Sequence, residues 1–267
     1  LLASLGITIP KTFSKSITSP AATGECVEVL MKSELTKQEI IKLIDQNGCC
    51  LARNGNLNLA PANDRIIKVS APLGMEPYAR MISSIMAKNY AMGINHCLID
   101  IPVWSTAKVS TQADAERIAQ HFKNIGEYLD IKTQVILTKA EQPIGNGIGA
   151  VLQVREVLRV LQQHKLRPHD LEQKALELAA HIVVLCGLCK TYDQALEKVS
   201  LQLTSWAARE KMQEIISSQE GIQKSDPKNS NSLQTQWKLQ QKIQGQYLLS
   251  IWNISIVLPE LLERQEI

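Results

Sequence analysis

Three stretches of this sequence bring together residue types able to act on an anion or a heterocycle. SITSPAATGECVEVL, residues 16–30, is a Ser/Thr-rich turn opening an apolar helix, a geometry that presents backbone N–H groups and hydroxyls to a phosphate. The same small residues also serve as plain helix caps. Ser84 and Lys88 stand four apart, which on a helix puts a hydroxyl and an ammonium on one face, both able to address a carbonyl oxygen at one heterocycle edge. A solvated surface pair has the same spacing. Gly145-Asn146-Gly147-Ile148-Gly149 could cradle a phosphate, but a tight strand-to-helix connection explains its three glycines as well, and the connection is the reading adopted.

Metal and redox chemistry find less support. Cys186 and Cys189 form a CxxC inside AAHIVVLCGLCKTY with no second cysteine pair nearby, and zinc would need two further ligands at matching spacing. His96, His121, His164, His169 and His181 are scattered without HxxxH spacing, so no metal site is expected. Cys26, Cys49, Cys50 and Cys97 also lie in mostly apolar stretches, as reduced buried thiols do, and no disulfide framework is expected.

The elements that must hold these groups read as an alternating strand-helix chain. CLIDIPV is a buried strand, and TQADAERIAQHFKNIGEYL is a helix with Ile118, Phe122, Ile125 and Leu129 on one face. TQVILT is the next strand, and Val151, Val154, Leu158 and Leu161 recur at helical spacing after the glycine loop. This unit predicts a parallel sheet covered by helices. Upstream, LTKQEIIKLIDQNG fits a helix with a Thr36–Glu39 capping box and Gly48 near its end, and CCLARNGNLNLAP passes through a strand and turn. Residues 73–93 read as a helix with an apolar stripe at Met81, Ile85, Met86 and Tyr90. Two more helices follow, marked by Leu171, Ala175, Leu178, Ile182 and Leu185, then by Tyr192, Ala195, Val199 and Leu203. From about residue 221 the sequence is polar and Gln-rich without periodicity, a linker, before an apolar tail, YLLSIWNISIVLPELL.

Composition narrows the function classes. The chain has 267 residues, 45% of them hydrophobic, enough for a sizeable core. A net charge of +3, from 29 basic and 26 acidic residues, is too small and too evenly spread for a nucleic-acid surface. No apolar run approaches the roughly 20 residues of a membrane span, and LLASLGITIP lacks the basic flank and cleavage site of a signal peptide, so a cytoplasmic location is expected.

Five ordered stretches carry a family resemblance: IPKTFSKSITSPAATGECVEVL, NGNLNLAPANDRIIKV, MISSIMAKNYAMGINHCLIDIPVWSTAKV, EQPIGNGIGAVLQVREVLRVLQ and LELAAHIVVLCG. Together they resemble the thymidine phosphorylase and AMP phosphorylase family over roughly residues 7–220, in wording closest to the AMP phosphorylases and the longer bacterial thymidine phosphorylases. The resemblance implies an α/β fold, a mostly parallel sheet covered by helices, with an incomplete helical domain inserted and an irregular tail. It divides the chain into a first part of the phosphate-side domain (1–70), a helical-domain segment (71–94), the remainder of the α/β domain (95–220) and a divergent remnant (221–267). It implies phosphorolysis of thymidine or another pyrimidine nucleoside, to free base and sugar 1-phosphate. No metal or redox cofactor is implied; inorganic phosphate is the co-substrate. The partners are small molecules, with a homodimer usual in the family.

Residue by residue, the resemblance assigns Thr23 and Ser14 to phosphate and Lys68, Ser84 and Lys88 to the base. No general acid or base is assigned. The family's Lys-His-Ser and glycine segment has no counterpart here, Phe13, Ala22 and Glu25 stand where serine, glycine and aspartate are usual, and Lys68 replaces an arginine. Trp104 follows a strand where glycine is expected, and an indole there must find room. These departures are expected to leave a truncated copy with little turnover. AMP phosphorylase-like action on nucleoside 5'-monophosphates and a catalytically silent remnant are the alternatives.

Overall fold

The computed structural model describes residues 1–13, 21–54, 57, 59 and 77–221. After a 3-10 turn at Ala3–Leu5, the elements are β1 (Ile9–Phe13), α1 (Thr23–Leu30), α2 (Lys37–Asn47), β2 (Cys49–Arg53), α3 (Pro77–Ala91), β3 (His96–Val103), α4 (Gln112–Tyr128), β4 (Lys132–Lys139), α5 (Ala150–Leu161), α6 (His169–Leu185), α7 (Tyr192–Thr204) and α8 (Ala207–Ser218). The architecture is α/β, with β1 pairing parallel to β2, Ile9 opposite Cys49, and β3 pairing parallel to β4, His96 opposite Lys132.

Local chemistry sets several boundaries. The α2 capping box is complete: Thr36 Oγ1 accepts from Glu39 N–H at 3.2 Å, and Glu39 Oε2 accepts from Thr36 N–H at 2.6 Å. Gly48, at φ 68°, ends the helix in the left-handed conformation. Thr111 and Thr191 cap α4 and α7 by accepting from Asp114 and Gln194 N–H. The helix expected over 73–93 is described from Pro77, a residue suited to a first helical turn. The sequence reading did not assign β1 or α8; in α8, Ala208, Ile215 and Ile216 bury one face against the core.

The helices form two layers because alternate strand residues face opposite sides. Cys50 and Ala52 of β2 pack with Leu35, Ile40 and Leu43 around α2, and Met92, just past α3, joins that cluster. Cys97, Ile99 and Ile101 of β3 pack with Met81, Ile82, Ile85 and Met86 of α3 and with Ile118 and Phe122 of α4. On the other side, Phe13 and Cys49 meet Val27 and Leu30 of α1, Val154 of α5, and Ile215 and Ile216 of α8. Helix α6 covers β3 on that second side, and Ala179, Ala180 and Val183 join it to Ala195 and Val199 of α7. Helix α3 shares one apolar cluster with β3 and α4.

Candidate functional site

Thr23 is the first residue of α1 and is half-buried, with the N-cap position held by Ala22. Alanine has no side-chain acceptor, so the helix start is capped from one side only. Glu25 Oε2 accepts from Ala22 N–H at 2.8 Å, placing a carboxylate at the positive end of the helix. Behind it, the Cys26 thiol donates to Gln153 Oε1 at 2.9 Å, tying α1 to α5. Burial, helped by the charge of Glu25, pushes that thiol up to about 11.

Ser84 and Lys88 lie one turn apart on α3, both half-buried, flanking the stripe of Met81 and Ile85 that enters the core. The helix thus presents the expected hydroxyl and ammonium side by side. Tyr78 of α3 also donates to the Lys108 carbonyl at 3.1 Å, fixing the helix to the loop after β3. Thr23 begins α1, which packs with α5 and α8, whereas Ser84 and Lys88 lie on α3, which packs with α4. Ser14 and Lys68 lie outside the described residues.

Two loops at the C-terminal ends of the strands complete the surroundings. A crevice of about 390 Å³ is lined by Trp104, Ser105, Ser110, Gln112, Thr138 and Lys139, among others. The indole of Trp104 is 37% exposed, so it is accommodated at the rim and not in the core. In the glycine loop, Gly145 N–H donates to Asp170 Oδ2 and Asn146 N–H to Glu156 Oε2, each at 2.8 Å. Its amides are taken by carboxylates, which supports the connection reading over a phosphate cradle. Gly145, at φ 73°, leaves no room for a Cβ beside the Glu156 carboxylate.

A buried ionic cluster centred on β3 was not legible from the residue pattern. Asp100, only 4% exposed, receives Lys174 Nζ at 2.8 Å and the Thr138 hydroxyl at 2.8 Å. A lone aspartate in an apolar strand carries no signal of its partners, which come from α6 and β4. Among the described residues no group of His, Cys, Asp and Glu side chains could hold a metal, and no helix is long and apolar enough to cross a membrane.

No family model matches the sequence. Curated relatives do match. An AMP phosphorylase of Methanococcus maripaludis (strain C6) is 41% identical over 225 residues, 84% of this chain and 44% of the relative. One from Thermofilum pendens is 42% identical over 221 residues, covering 83% and 42%. A putative thymidine phosphorylase of Rhodopseudomonas palustris (strain BisB18) is 39% identical over 225 residues, covering 82% and 42%. The chain belongs to the thymidine/AMP phosphorylase family. It spans less than half the length of the relatives it matches. In this phosphorylase-family chain the first turn of α1 carries its own anion, Glu25, and the loop after β3 carries an indole.

Proposed function

We propose that the site serves phosphorolysis of a nucleoside, with thymidine or another pyrimidine nucleoside as substrate and inorganic phosphate as nucleophile. Phosphate oxygen bonds to the anomeric carbon as the glycosidic C–N bond breaks, and the electron pair leaves with the base. The reading is carried by the family membership together with the Ser84–Lys88 pair on one flank of α3. A hydroxyl and an ammonium directed at the base oxygens stabilise the negative charge that develops as the base departs. Thr23, the first residue of α1, offers a hydroxyl to the phosphate at the positive end of that helix.

A second reading, phosphorolysis of nucleoside 5'-monophosphates, is favoured by one observation: the relatives at 41% and 42% identity are named AMP phosphorylase. Base release from thymidine, uridine, AMP and CMP, with and without phosphate, distinguishes the two, alongside calorimetric titration with phosphate and thymine. If no base is released and neither phosphate nor thymine binds, both readings fail.

A further inference from the structure

The crevice of about 390 Å³ lies at the C-terminal ends of β3 and β4, where the chain diverges. The loop after β3 leads into α4, which packs with α3, and the loop after β4 leads to α5, which packs with α1 and α8. Parallel neighbours whose connections part in this way leave a gap between their loops, the place where α/β sheets bind ligands. The gap is walled by Trp104 and Ser105 of the first loop, by Ser110 and Gln112 at the start of α4, and by Thr138 and Lys139 at the end of β4. Its volume falls within the range of small-molecule sites.

The walls are held in place. Trp104 N–H donates to Val109 O at 3.2 Å and Ala107 N–H to Trp104 O at 2.9 Å, closing the loop on itself. Val109, 3% exposed, anchors that loop in the core beside β3, and the Tyr78 hydroxyl pins it through Lys108 O. The indole, partly exposed at the rim, is thus presented as a fixed flat face. On the β4 wall, the Thr138 hydroxyl donates to Asp100 Oδ1, so its oxygen has only lone pairs left to offer. The Gln112 amide gives one N–H to Glu116 Oε1 at 2.9 Å and keeps the other beside its carbonyl oxygen, a donor next to an acceptor. The Lys139 ammonium stands 3.7 Å from the Glu141 carboxylate, so that pair brings no net charge to the rim.

We propose that this crevice binds an uncharged nucleoside, at a site separate from the Ser84–Lys88 pair on α3. The heterocycle stacks on Trp104, a contact open to any base because each has a π-face. A donor and an acceptor at the edge of the ring pair with the Gln112 amide, as glutamine pairs with the edge of adenine. The sugar hydroxyls, donors and acceptors at once, meet the lone pairs of Thr138 and the rotatable hydroxyls of Ser105 and Ser110. The inference stands apart from the phosphorolysis reading, since it uses none of the residues assigned there to phosphate or base.

Adenosine titrated into the full chain tests this, read by nuclear magnetic resonance at the Trp104 indole N–H, identified by its loss in Trp104→Phe, and at the Ser105 amide. Adenosine is expected to shift both signals saturably, and ribose to shift neither. Read at Ser105, Trp104→Ala is expected to weaken adenosine about 10-fold or more and Gln112→Leu about 3- to 10-fold, while Trp104→Phe, which keeps an aromatic face, stays within about threefold of the parent. Trp104 and Gln112 are both exposed, so these variants are expected to keep the parent far-UV dichroism. Lys88→Met is expected to leave the shifts unchanged. Signals that adenosine does not move overturn the proposal, as do shifts that ribose reproduces or that Lys88→Met removes. AMP bound much more tightly than adenosine at these two signals assigns recognition to charge and equally overturns it.

Discussion

The carboxamide of Gln219 pairs with the backbone of Leu51 as a neighbouring strand would. Its Oε1 accepts from Leu51 N–H at 2.8 Å, and its Nε2 donates to Leu51 O at 3.0 Å and to Lys32 O at 2.8 Å. Gln219 is 1% exposed, so truncation leaves these backbone groups without a partner and without water. Gln219→Ala is expected to lower stability by about 2 kcal/mol, read from urea unfolding at constant slope. A loss near zero would mean that solvent reaches the outer edge of β2.

The Asp100–Lys174 pair behaves as a buried ion pair, with side chains 2% and 18% exposed. Removing one charge strands the other, so Asp100→Ala is expected to cost about 3–5 kcal/mol. The double variant Asp100→Leu/Lys174→Met removes both charges and is expected to cost less than the single. Thermal unfolding of the three proteins side by side checks the order.

The Glu25 carboxylate stands where a bound phosphate would benefit from the α1 N-terminus. Glu25→Gln keeps an oxygen to accept from Ala22 N–H and removes the charge. Phosphate affinity is expected to rise about two- to fivefold by calorimetry, in line with a charge–dipole term of about 0.3–1 kcal/mol. Weaker binding would show that the carboxylate organises the turn for phosphate.

Ser84→Ala and Lys88→Met test the base assignment. Loss of the hydroxyl is expected to weaken thymine binding several-fold and loss of the ammonium about 10- to 100-fold, following the difference between neutral and charge-assisted hydrogen bonds. Both side chains flank the core stripe without filling it, so far-UV dichroism should stay unchanged. Thymine affinity equal to the parent in both variants would remove α3 from the site.

Alkaline pH is expected to weaken the fold. Burial pushes the Cys49 thiol to about 11 and Cys50 to about 12, against an ordinary value of 9.0. Between those values the unfolded chain releases protons that the folded chain retains, so stability falls as pH rises from about 9 toward 12. Urea midpoints at pH 7, 9 and 10.5 should decline in that order, with a smaller decline in Cys50→Ala.

Much of this fold was legible locally. The Thr36–Glu39 box, Gly48, the stripe of Ile118 and Phe122, and the strands CLIDIPV and TQVILT were readable because caps and periodicity depend on residues a few positions apart. The same short range placed Ser84 beside Lys88. Helix α8 was missed although Ala208, Ile215 and Ile216 recur at helical spacing. Strand β1 was missed because Pro10 and Lys11 interrupt the alternation that marks a strand.

The sequence by itself determined the family, the parallel α/β pattern and the helix that pairs a hydroxyl with an ammonium. Tertiary structure alone decided that Glu25 occupies the α1 start, that Asp100 meets Lys174, and that Gln219 closes an edge 168 residues away in sequence. It also brought β1 and β3 together along the walls of one groove. Such partners are chosen by packing, since a polar group removed from water must bond to whatever the fold brings near, and no local pattern encodes which residue that is.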